Sequence, residues 1–286
     1  MPELAVLMPV RNGEATVHRA VASTLRALPG DSELAIWDDA STDGTVAVIE
    51  RFADRRVRLV RSERPEGVGA ALRALSERTD SRFVARMDAD DVCLPWRFAA
   101  QTAGLRLSSC QILFSPVLRF RTSPLRVAPS APTAIPPAAL RLHLAVMCVV
   151  MHPTMIARRR ALEIAGGYRD TPAEDYDLWL RAGTAGVPMG RMALPTLAYR
   201  RHAAQVSLTG EYSRRVSADA LLTRSYRDFV RATLDLDIDW MPGQPTGSAD
   251  AAGAARELRA RLEERSTRLS PWQRRLLRRT MRRLPS

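Results

Sequence analysis

The sequence predicts an α/β fold in which a mostly parallel sheet is flanked by helices, with a helical extension at the C-terminus. Three observations support this prediction. In the N-terminal third, short apolar runs alternate with segments whose apolar residues recur at helical spacing. Polar and acidic residues directly follow three of the apolar runs. The end of the chain, 254–286, has helical spacing and is rich in arginine.

The elements of the N-terminal third are predicted to alternate between strand and helix. The strands are Leu4–Val10, Leu34–Trp37, Val57–Val60 and Phe83–Met87, and the helices are Glu14–Leu28, Thr45–Phe52 and Glu66–Arg78. This order is typical of parallel strands joined by crossover helices. Ligands of such sheets bind outside the carboxyl ends of the strands. We therefore expect the polar loops after these strands to line one crevice.

The rest of the chain is less regular. The proline-rich segment 111–137 predicts short strands with irregular connections, and Asp239–Gly253 predicts a linker. The other predicted elements are helices at Ala138–Val150, Arg158–Ala165, Glu174–Ala182 and Glu211–Leu234, a strand at His152–Ala157 and a short strand within Pro188–Arg200. An arginine-rich helix ends the chain.

Composition excludes some classes of protein. No run approaches the roughly 20 apolar residues that span a bilayer, and no secretory signal pattern opens the sequence. The three cysteines are odd in number and lack metal-type spacing, so a cytoplasmic protein with reduced thiols is expected. The formal net charge is +12, but residues 251–286 contribute +8 of it, through 11 Arg and 3 Glu. The body is therefore not predicted to bind nucleic acid.

The string Asp88-Ala89-Asp90-Asp91 follows a predicted strand. Carboxylates this close repel one another unless a cation or solvent relieves them, and Mg²⁺ or Mn²⁺ prefers such oxygen ligands. The alternative is a solvated turn in which Asp91 caps a helix starting near Leu94. The position beside two other polar loops favours the metal site.

Two further polar strings allow more than one interpretation. In the loop after Trp37, Asp43 is a turn or capping residue, whereas Asp39 is placed to accept hydrogen bonds from a base or a ribose. Glu174, Asp175 and Asp177 fall in a first helical turn, where the helix dipole favours negative charge. One of these carboxylates is equally suited to act as a general base.

Seven strings in register resemble family 2 glycosyltransferases, which have the GT-A fold and build bacterial surface polysaccharides. They extend over roughly residues 4 to 208. The strings are Leu7–Gly13, Trp37–Thr45, Arg86–Asp91, His152–Thr154, Gly166–Arg169, Glu174–Arg181 and Tyr199–His202. By this resemblance, 1–208 is the glycosyltransferase domain, with a nucleotide-binding half (1–110) and an acceptor-binding half (111–208). A helix (209–238), the linker (239–253) and a basic amphipathic tail (254–286) follow.

The resemblance also implies roles for individual residues. Asp175 resembles the catalytic base of an inverting transfer, and Glu174 is expected to orient it or to contact the sugar. Asp90, with Asp88 and His202, is expected to hold the metal that bridges the diphosphate. A loop histidine without a ligand is an equally open interpretation of His202, and His152 is expected only to lie beside the acceptor cleft. The residues expected to bind the nucleotide are Pro9, Val10, Arg11, Asn12, Glu14, Asp39, Arg86, Asp88 and Ala89.

Donor and acceptor are less well determined by the resemblance. UDP is the expected base by family frequency, with dTDP and GDP left open, and the acceptor is expected to be a glycan or a lipid-linked sugar. Arg11 stands where an aromatic residue is frequent in the family, which leaves base specificity open. Two competing hypotheses are a nucleotidyltransferase, whose glycine-rich phosphate loop the short string Arg11-Asn12-Gly13 does not provide, and an inactive nucleotide-sugar binding protein.

The C-terminal tail predicts an amphipathic helix with apolar residues on one side and arginines on the other. Such a helix could lie peripherally on an anionic membrane. A helix packed on the body, or a partly disordered end, is an equally open interpretation. Nucleic-acid binding is less favoured because no stacking aromatics alternate with the arginines.

Overall fold

The computed structural model describes residues 1–121, 127–202, 209–245 and 249–285 of the chain. Three predicted segments extend beyond these ranges: the irregular strands of 111–137, the end of the domain at 208, and the linker. Their portions at 122–126, 203–208 and 246–248 lie outside the described residues. Within the described part, no helix is long and apolar enough to cross a bilayer.

The described residues contain eleven strands and eleven α-helices. The strands are β1 (Leu4–Val10), β2 (Ser32–Asp38), β3 (Val57–Arg61), β4 (Phe83–Arg86), β5 (Val92–Cys93), β6 (Ile112–Phe114), β7 (Val117–Phe120), β8 (Ala128–Pro129), β9 (Ile156–Arg158), β10 (Met189–Arg191) and β11 (Leu197–Arg200). The helices are α1 (Glu14–Ala27), α2 (Thr45–Glu50), α3 (Val68–Glu77), α4 (Arg97–Leu107), α5 (Pro137–Leu144), α6 (Arg159–Ile164), α7 (Glu174–Thr184), α8 (Gly210–Ser217), α9 (Ala220–Leu234), α10 (Ala249–Ser266) and α11 (Pro271–Met281).

Seven strands form the main sheet, in the order β10-β6-β9-β4-β1-β2-β3. All neighbours in it are parallel except β9, which runs antiparallel to both β4 and β6. A smaller sheet has the order β5-β11-β7-β8. The predicted α/β fold with a mostly parallel sheet is confirmed, and the seven elements predicted for the N-terminal third are present with ends shifted by at most two residues.

The sheet separates two apolar cores because successive side chains of a strand point to opposite faces. In β1, Ala5 and Leu7 belong to one core and Leu4, Val6 and Met8 to the other. Helices α1, α2 and α4 cover the second core, while α3, α5, α7 and the C-terminal helices cover the first. The C-terminal extension is thus part of a helical layer of the fold.

A buried arginine joins the parts that meet beneath the end of β4. Arg97 in α4 is fully buried and donates to the carbonyl oxygens of Arg86 and Pro153, at 2.6 Å and 2.7 Å. It also donates to Gln101 Oε1 at 3.1 Å, and the Gln101 amide donates to the carbonyl of Thr154 at 2.7 Å. These bonds fix the end of β4 against the 3₁₀ turn His152–Thr154.

Three predictions about the central part of the chain are wrong. The strand predicted to begin at His152 begins instead at Ile156, after the 3₁₀ turn. The helix predicted for Ala138–Val150 ends at Leu144, and Pro188–Arg200 holds two strands, β10 and β11. The alternative interpretation of the acidic turn, in which Asp91 caps a helix near Leu94, is also contradicted, since α4 begins at Arg97 without a side-chain cap. Asp91 does not cap it, because its Oδ1 atom accepts a hydrogen bond from the Arg200 amide at 2.8 Å.

Two predictions near the C-terminus are also wrong. The helix predicted for Glu211–Leu234 is divided into α8 and α9, because Asp219 accepts a hydrogen bond from the Leu222 amide at 2.7 Å and so caps a new helix. Helix α10 begins at Ala249, inside the predicted linker. Proline, glycine and serine in this segment predict a loop, but its alanines are good helix formers and the helix begins among them.

The crossing of α7 and α9 provides a test of this packing. A Cβ atom on Gly183 would overlap the ring of Phe229, so we expect Gly183→Ala to lower the free energy of unfolding by about 1–3 kcal/mol through overpacking. The control is Gly253→Ala in α10, where a Cβ has open space and helix propensity predicts a gain of about 1 kcal/mol. Denaturant unfolding measures both, and equal effects would contradict the close crossing.

Candidate active site

A cleft lies at the carboxyl ends of β1 and β4, next to the loop after β2. Its volume is about 390 Å³. The lining residues are Pro9, Val10, Arg11, Asn12, Gly13, Asp39, Gly67, Val68, Ala71, Arg86, Asp88, Ala89, Asp90, Arg200 and His202. The predicted convergence of three polar loops on one crevice is therefore found in the structure. Its physical basis is the parallel arrangement of these strands, which brings their ends to the same edge.

The loops after β1 and β2 are bonded to each other. Asn12 Oδ1 accepts a hydrogen bond from the Thr42 amide at 2.9 Å, and the Asn12 amide donates to Ser41 Oγ at 2.9 Å. The carboxylate of Glu14 accepts from the Gly44 amide at 3.0 Å. Glu14 thus supports the loop from outside, and it is absent from the residues that line the cleft. Asn12 lines the cleft while its side chain holds the neighbouring loop.

Asp39 is buried at the floor of the cleft and positions the turn before α3. Its two carboxylate oxygens accept hydrogen bonds from the amides of Glu66 and Gly67, at 2.7 Å and 3.0 Å. Gly67 has φ of +88°, a conformation that favours glycine. Each oxygen retains a second lone pair, so the predicted contact with a base or ribose stays compatible with these bonds.

The acidic turn after β4 gathers three carboxylates. Single oxygens of Asp88, Asp90 and Asp91 all lie within 4.8 Å of one another. Each is held differently: Asp88 forms an ion pair with Arg86, and Asp90 Oδ2 lies 3.2 Å from His202 Nε2. Asp91 is fully buried, and its Oδ2 atom has no hydrogen-bond partner among the described residues.

The electrostatics of this turn fit a cation. Burial, together with the charges of Asp88 and Asp90, raises the pKa of Asp91 well above its usual range. Burial and the charge of Asp88 also raise the pKa of Asp90. A bound cation would relieve this crowding of negative charge, and carboxylate oxygens are the ligands that Mg²⁺ and Mn²⁺ prefer. The orphaned Asp91 oxygen and the donor chemistry of the cluster thus fit a divalent metal.

The second acidic cluster begins a helix beside a buried histidine. His152 Nδ1 lies 3.5 Å from Glu174 Oε1, and its Nε2 lies 2.9 Å from the Tyr168 hydroxyl. The adjacent Asp175 carboxylate accepts a hydrogen bond from the Tyr176 amide at 2.7 Å. Burial raises the pKa of Asp175, although the positive charge that His152 can carry opposes the rise. A carboxylate with a raised pKa is a better proton acceptor, as a general base requires.

Asp177, three residues after Glu174 in the same helix, already has hydrogen-bond partners within the protein. It is fully buried and accepts two hydrogen bonds from Arg181, at 2.9 Å and 2.7 Å. The hydroxyl of Ser225 in α9 donates to its other oxygen at 2.6 Å. Arg181 in turn donates to the Gly167 carbonyl at 2.7 Å, beyond the end of α6. Asp177 therefore joins three helical segments and is sequestered from the cleft.

Arg86 interacts with both acidic clusters. It lines the cleft and pairs with Asp88, and its charge also acts on Asp175, whose pKa it lowers against the larger effect of burial. Glu174 and Asp175 themselves are outside the residues that line the cleft. Both clusters thus interact electrostatically with one buried guanidinium.

The sequence did not identify several residues of the site. Gly67, Val68, Ala71 and Arg200 line the cleft, and Tyr168 bonds to His152. Tyr168 and Arg200 lie inside strings that resemble the family, which is the signal that could have found them. Gly67, Val68 and Ala71 carry no polar side chain, so their own chemistry did not indicate a ligand.

Residues 5–113 match the family model described as glycosyl transferase family 2. The chain is 29% identical to EpsE of Bacillus subtilis, over 63% of this chain and 66% of EpsE. It is 24% identical to the Escherichia coli WfaP, a UDP-Glc:alpha-D-GlcNAc-diphosphoundecaprenol beta-1,3-glucosyltransferase, over 72% of this chain and 80% of WfaP. For WfgD, which has the same described activity, the match covers only 44% of that protein.

Two solved structures show the fold. The Staphylococcus aureus TarS fragment 1–349, in complex with UDP-GlcNAc, has a TM-score of 0.64 at 15% identity and covers 99% of this chain and 88% of its own. Mannosyltransferase PcManGT of Pyrobaculum calidifontis, in complex with GDP-Man and Mn²⁺, has a TM-score of 0.58 at 16% identity and covers 97% and 79%. The predicted GT-A fold is therefore confirmed.

The different environments of two buried aspartates predict opposite effects of one substitution. A carboxyl group whose pKa is raised on folding binds its proton more tightly in the folded state, so stability falls as the pH rises through that range. Without metal, we expect Asp91→Asn to raise the free energy of unfolding at neutral pH. The gain should disappear at low pH, where the carboxyl group is protonated in both states.

The control is Asp177→Asn, which weakens a buried ion pair with Arg181 and should lower the free energy of unfolding by about 3 kcal/mol. Urea unfolding in EDTA across the acid range measures both variants. A loss of stability in Asp91→Asn at neutral pH would contradict the proposed crowding of charge.

Proposed function

We propose that this chain, whose residues 5–113 match the model of glycosyl transferase family 2, transfers a sugar from a nucleoside diphosphate to a hydroxyl group of a glycan or a lipid-linked acceptor. The observation that carries the proposal is the pair of acidic clusters that both interact with Arg86. One has the crowded carboxylates that suit a diphosphate with its metal. The other has a single basic carboxylate, Asp175, which suits an acceptor hydroxyl.

The cleft is proposed to hold the nucleotide. Pro9, Val10 and Arg11 would line the base and ribose from the end of β1, with Asp39 on the floor. Arg86, Asp88 and Ala89 would lie against the ribose and the diphosphate. UDP is the nucleotide that we favour, because WfaP uses a UDP-sugar and TarS binds UDP-GlcNAc. The GDP-Man bound by PcManGT keeps GDP as the competing candidate.

Asp90 and Asp88, with His202 beside them, are the residues proposed to hold a divalent metal, Mn²⁺ or Mg²⁺. The Mn²⁺ in the PcManGT complex supports this assignment in a protein of the same fold. A bound cation would offset the negative charge that develops on the departing diphosphate. The buried Asp91 supports the turn from behind through its bond to the Arg200 amide.

Asp175 is proposed to take the proton from the acceptor hydroxyl. The acceptor oxygen then forms a bond to the anomeric carbon while the bond from that carbon to the diphosphate oxygen breaks. A single displacement of this kind inverts the anomeric configuration. Glu174, 3.5 Å from His152, would keep the histidine charge beside the base and so hold it in position. Retention of the proton by Asp175 balances the negative charge carried away by the nucleoside diphosphate.

Two relatives support the proposed class of acceptor. WfaP and WfgD act on a sugar that is linked through a diphosphate to undecaprenol. If the acceptor of this chain is of the same class, it is presented at a membrane surface. The proposal therefore includes a peripheral position of the protein on that surface.

Replacement of the proposed base tests the reaction. We expect Asp175→Asn to reduce the rate of sugar transfer by about 10²–10⁴-fold, because the amide cannot accept the proton, while donor binding is kept. In the wild type, the transfer rate should fall as the pH is lowered and Asp175 becomes protonated. Because the pKa of Asp175 is raised, this fall should occur at a higher pH than an ordinary aspartate would give. Product formation with an undecaprenyl-diphosphate sugar as acceptor measures both.

The matched control is Asp170→Asn, which changes an exposed aspartate in the preceding loop and should leave the transfer rate unchanged. Transfer at the wild-type rate by Asp175→Asn would remove the residue from its proposed role.

A thermal-shift screen tests the donor site. We expect UDP or GDP to raise the melting temperature only with Mn²⁺ or Mg²⁺ present, and EDTA to abolish the shift, since a ligand stabilises the state it binds. Asp90→Asn should lose the metal-dependent shift. Asp80→Asn, at an exposed position before β4, should keep it. An equal shift with and without metal would contradict the assignment of Asp90.

A further inference from the structure

Helix α11 buries its apolar side against the protein. Leu277 and Met281 are buried in the core that contains α5, and Thr280 Oγ1 lies 2.9 Å from His143 Nδ1 in that helix. The apolar side of α11 is therefore already occupied. It is not available for insertion into a bilayer, as a free amphipathic helix would require.

The opposite side of α11 carries a tryptophan and three arginines. At about 100° per residue, Trp272, Arg275, Arg279 and Arg282 fall within an arc of about 80°, centred opposite Leu277. All four side chains are exposed, and the exposed fraction of Trp272 is 49%. We call this set of four residues the arginine stripe. It runs along the outer side of the helix for its whole length.

The positive charge of the stripe is not neutralised by the protein. Among the described residues, the salt bridge furthest along the chain joins Arg261 to Glu264, so none of these bridges involves an arginine of α11. The segment 251–286, which contains α11, contributes most of the net charge of the chain. An exposed cationic surface of this kind attracts a polyanionic partner.

Trp272 narrows the nature of that partner. It lies at the first turn of α11 and also lines an apolar groove, of about 710 Å³, with Leu113, Pro136 and Met192. An indole beside apolar surface and cationic side chains is the combination found at the interface of proteins with membranes. A nucleic-acid surface would instead require several aromatics to stack on successive bases.

We propose that the arginine stripe binds the surface of an anionic phospholipid bilayer, with the arginines at the lipid headgroups and Trp272 at the interfacial level. The helix would lie on the membrane through its outer side while its apolar side stays packed in the protein. The inference rests on the proposed function only for its biological purpose, because a lipid-linked acceptor lies at such a surface. The binding itself requires neither donor nor acceptor.

Sedimentation with vesicles tests the proposal. The full-length protein should bind vesicles made of equal parts phosphatidylcholine and phosphatidylglycerol, should not bind phosphatidylcholine alone, and should be released by high salt. The triple variant Arg275→Glu, Arg279→Glu, Arg282→Glu should bind at least about 100-fold more weakly, since each cation near an anionic surface contributes appreciably to binding.

The matched control reverses three exposed arginines elsewhere, in Arg26→Glu, Arg51→Glu, Arg73→Glu. This variant has the same net charge as the stripe variant and should retain most of the binding. The blue shift of tryptophan fluorescence on vesicle binding should be lost in Trp272→Phe. It should persist in Trp96→Phe, which replaces another exposed tryptophan, 46% exposed.

Two results would overturn the inference: equal losses in the two triple variants, or binding of double-stranded DNA as tight as that of anionic vesicles. Unchanged melting temperatures would show that the variants remain folded. Asp175→Asn should bind vesicles like the wild type. A protein that binds vesicles but transfers no sugar would refute the proposed reaction and leave this inference in place.

Discussion

The mutual repulsion of the carboxylates after β4 is the constraint on which the site depends. Asp88, Asp90 and Asp91 are held within 4.8 Å of one another, and one of them is fully buried. The fold relieves this only in part, through Arg86 and the amide of Arg200. The bond to Arg200 also ties the main sheet to the smaller one, so the charged turn is part of the structural framework. A site left with this much unbalanced negative charge is suited to a cation and a diphosphate.

Environment gives different functions to aspartates that the sequence presents as equivalent. Asp177 is buried and bound to Arg181 and Ser225, which makes it a structural residue. Asp175, two residues earlier, has one amide bond and a raised pKa, which suits a proton acceptor. Their helix spacing explains the difference, because residues two apart face different sides of a helix. Arg86 then links the proposed general base, Asp175, electrostatically to the acidic turn. The two halves of the proposed reaction thus share one buried guanidinium.

The C-terminal extension combines two roles on one helix. Its apolar residues complete the layer formed by α3, α5 and α7, and its arginines remain on the outside. Sequence periodicity predicted an amphipathic helix and left open whether a membrane or the rest of the protein covers its apolar side. In the structure the rest of the protein covers this side, because α11 packs against α5 and the burial of Leu277 and Met281 removes apolar surface from water within the same chain. The proposed contact with a lipid surface therefore depends on charge and one tryptophan.

By itself the sequence determined the order of strands and helices in the N-terminal third, the convergence of their loops and the resemblance to family 2 glycosyltransferases. Local periodicity and strand-end chemistry suffice for those, because they depend on neighbours in the chain. Tertiary structure alone decided that β9 runs antiparallel, that Asp91 binds β11 instead of capping α4, and that Glu14 supports a loop outside the cleft. Each of these depends on contacts between residues far apart in sequence, and local patterns carry no information about which distant partner will satisfy a buried polar group or cover an apolar face.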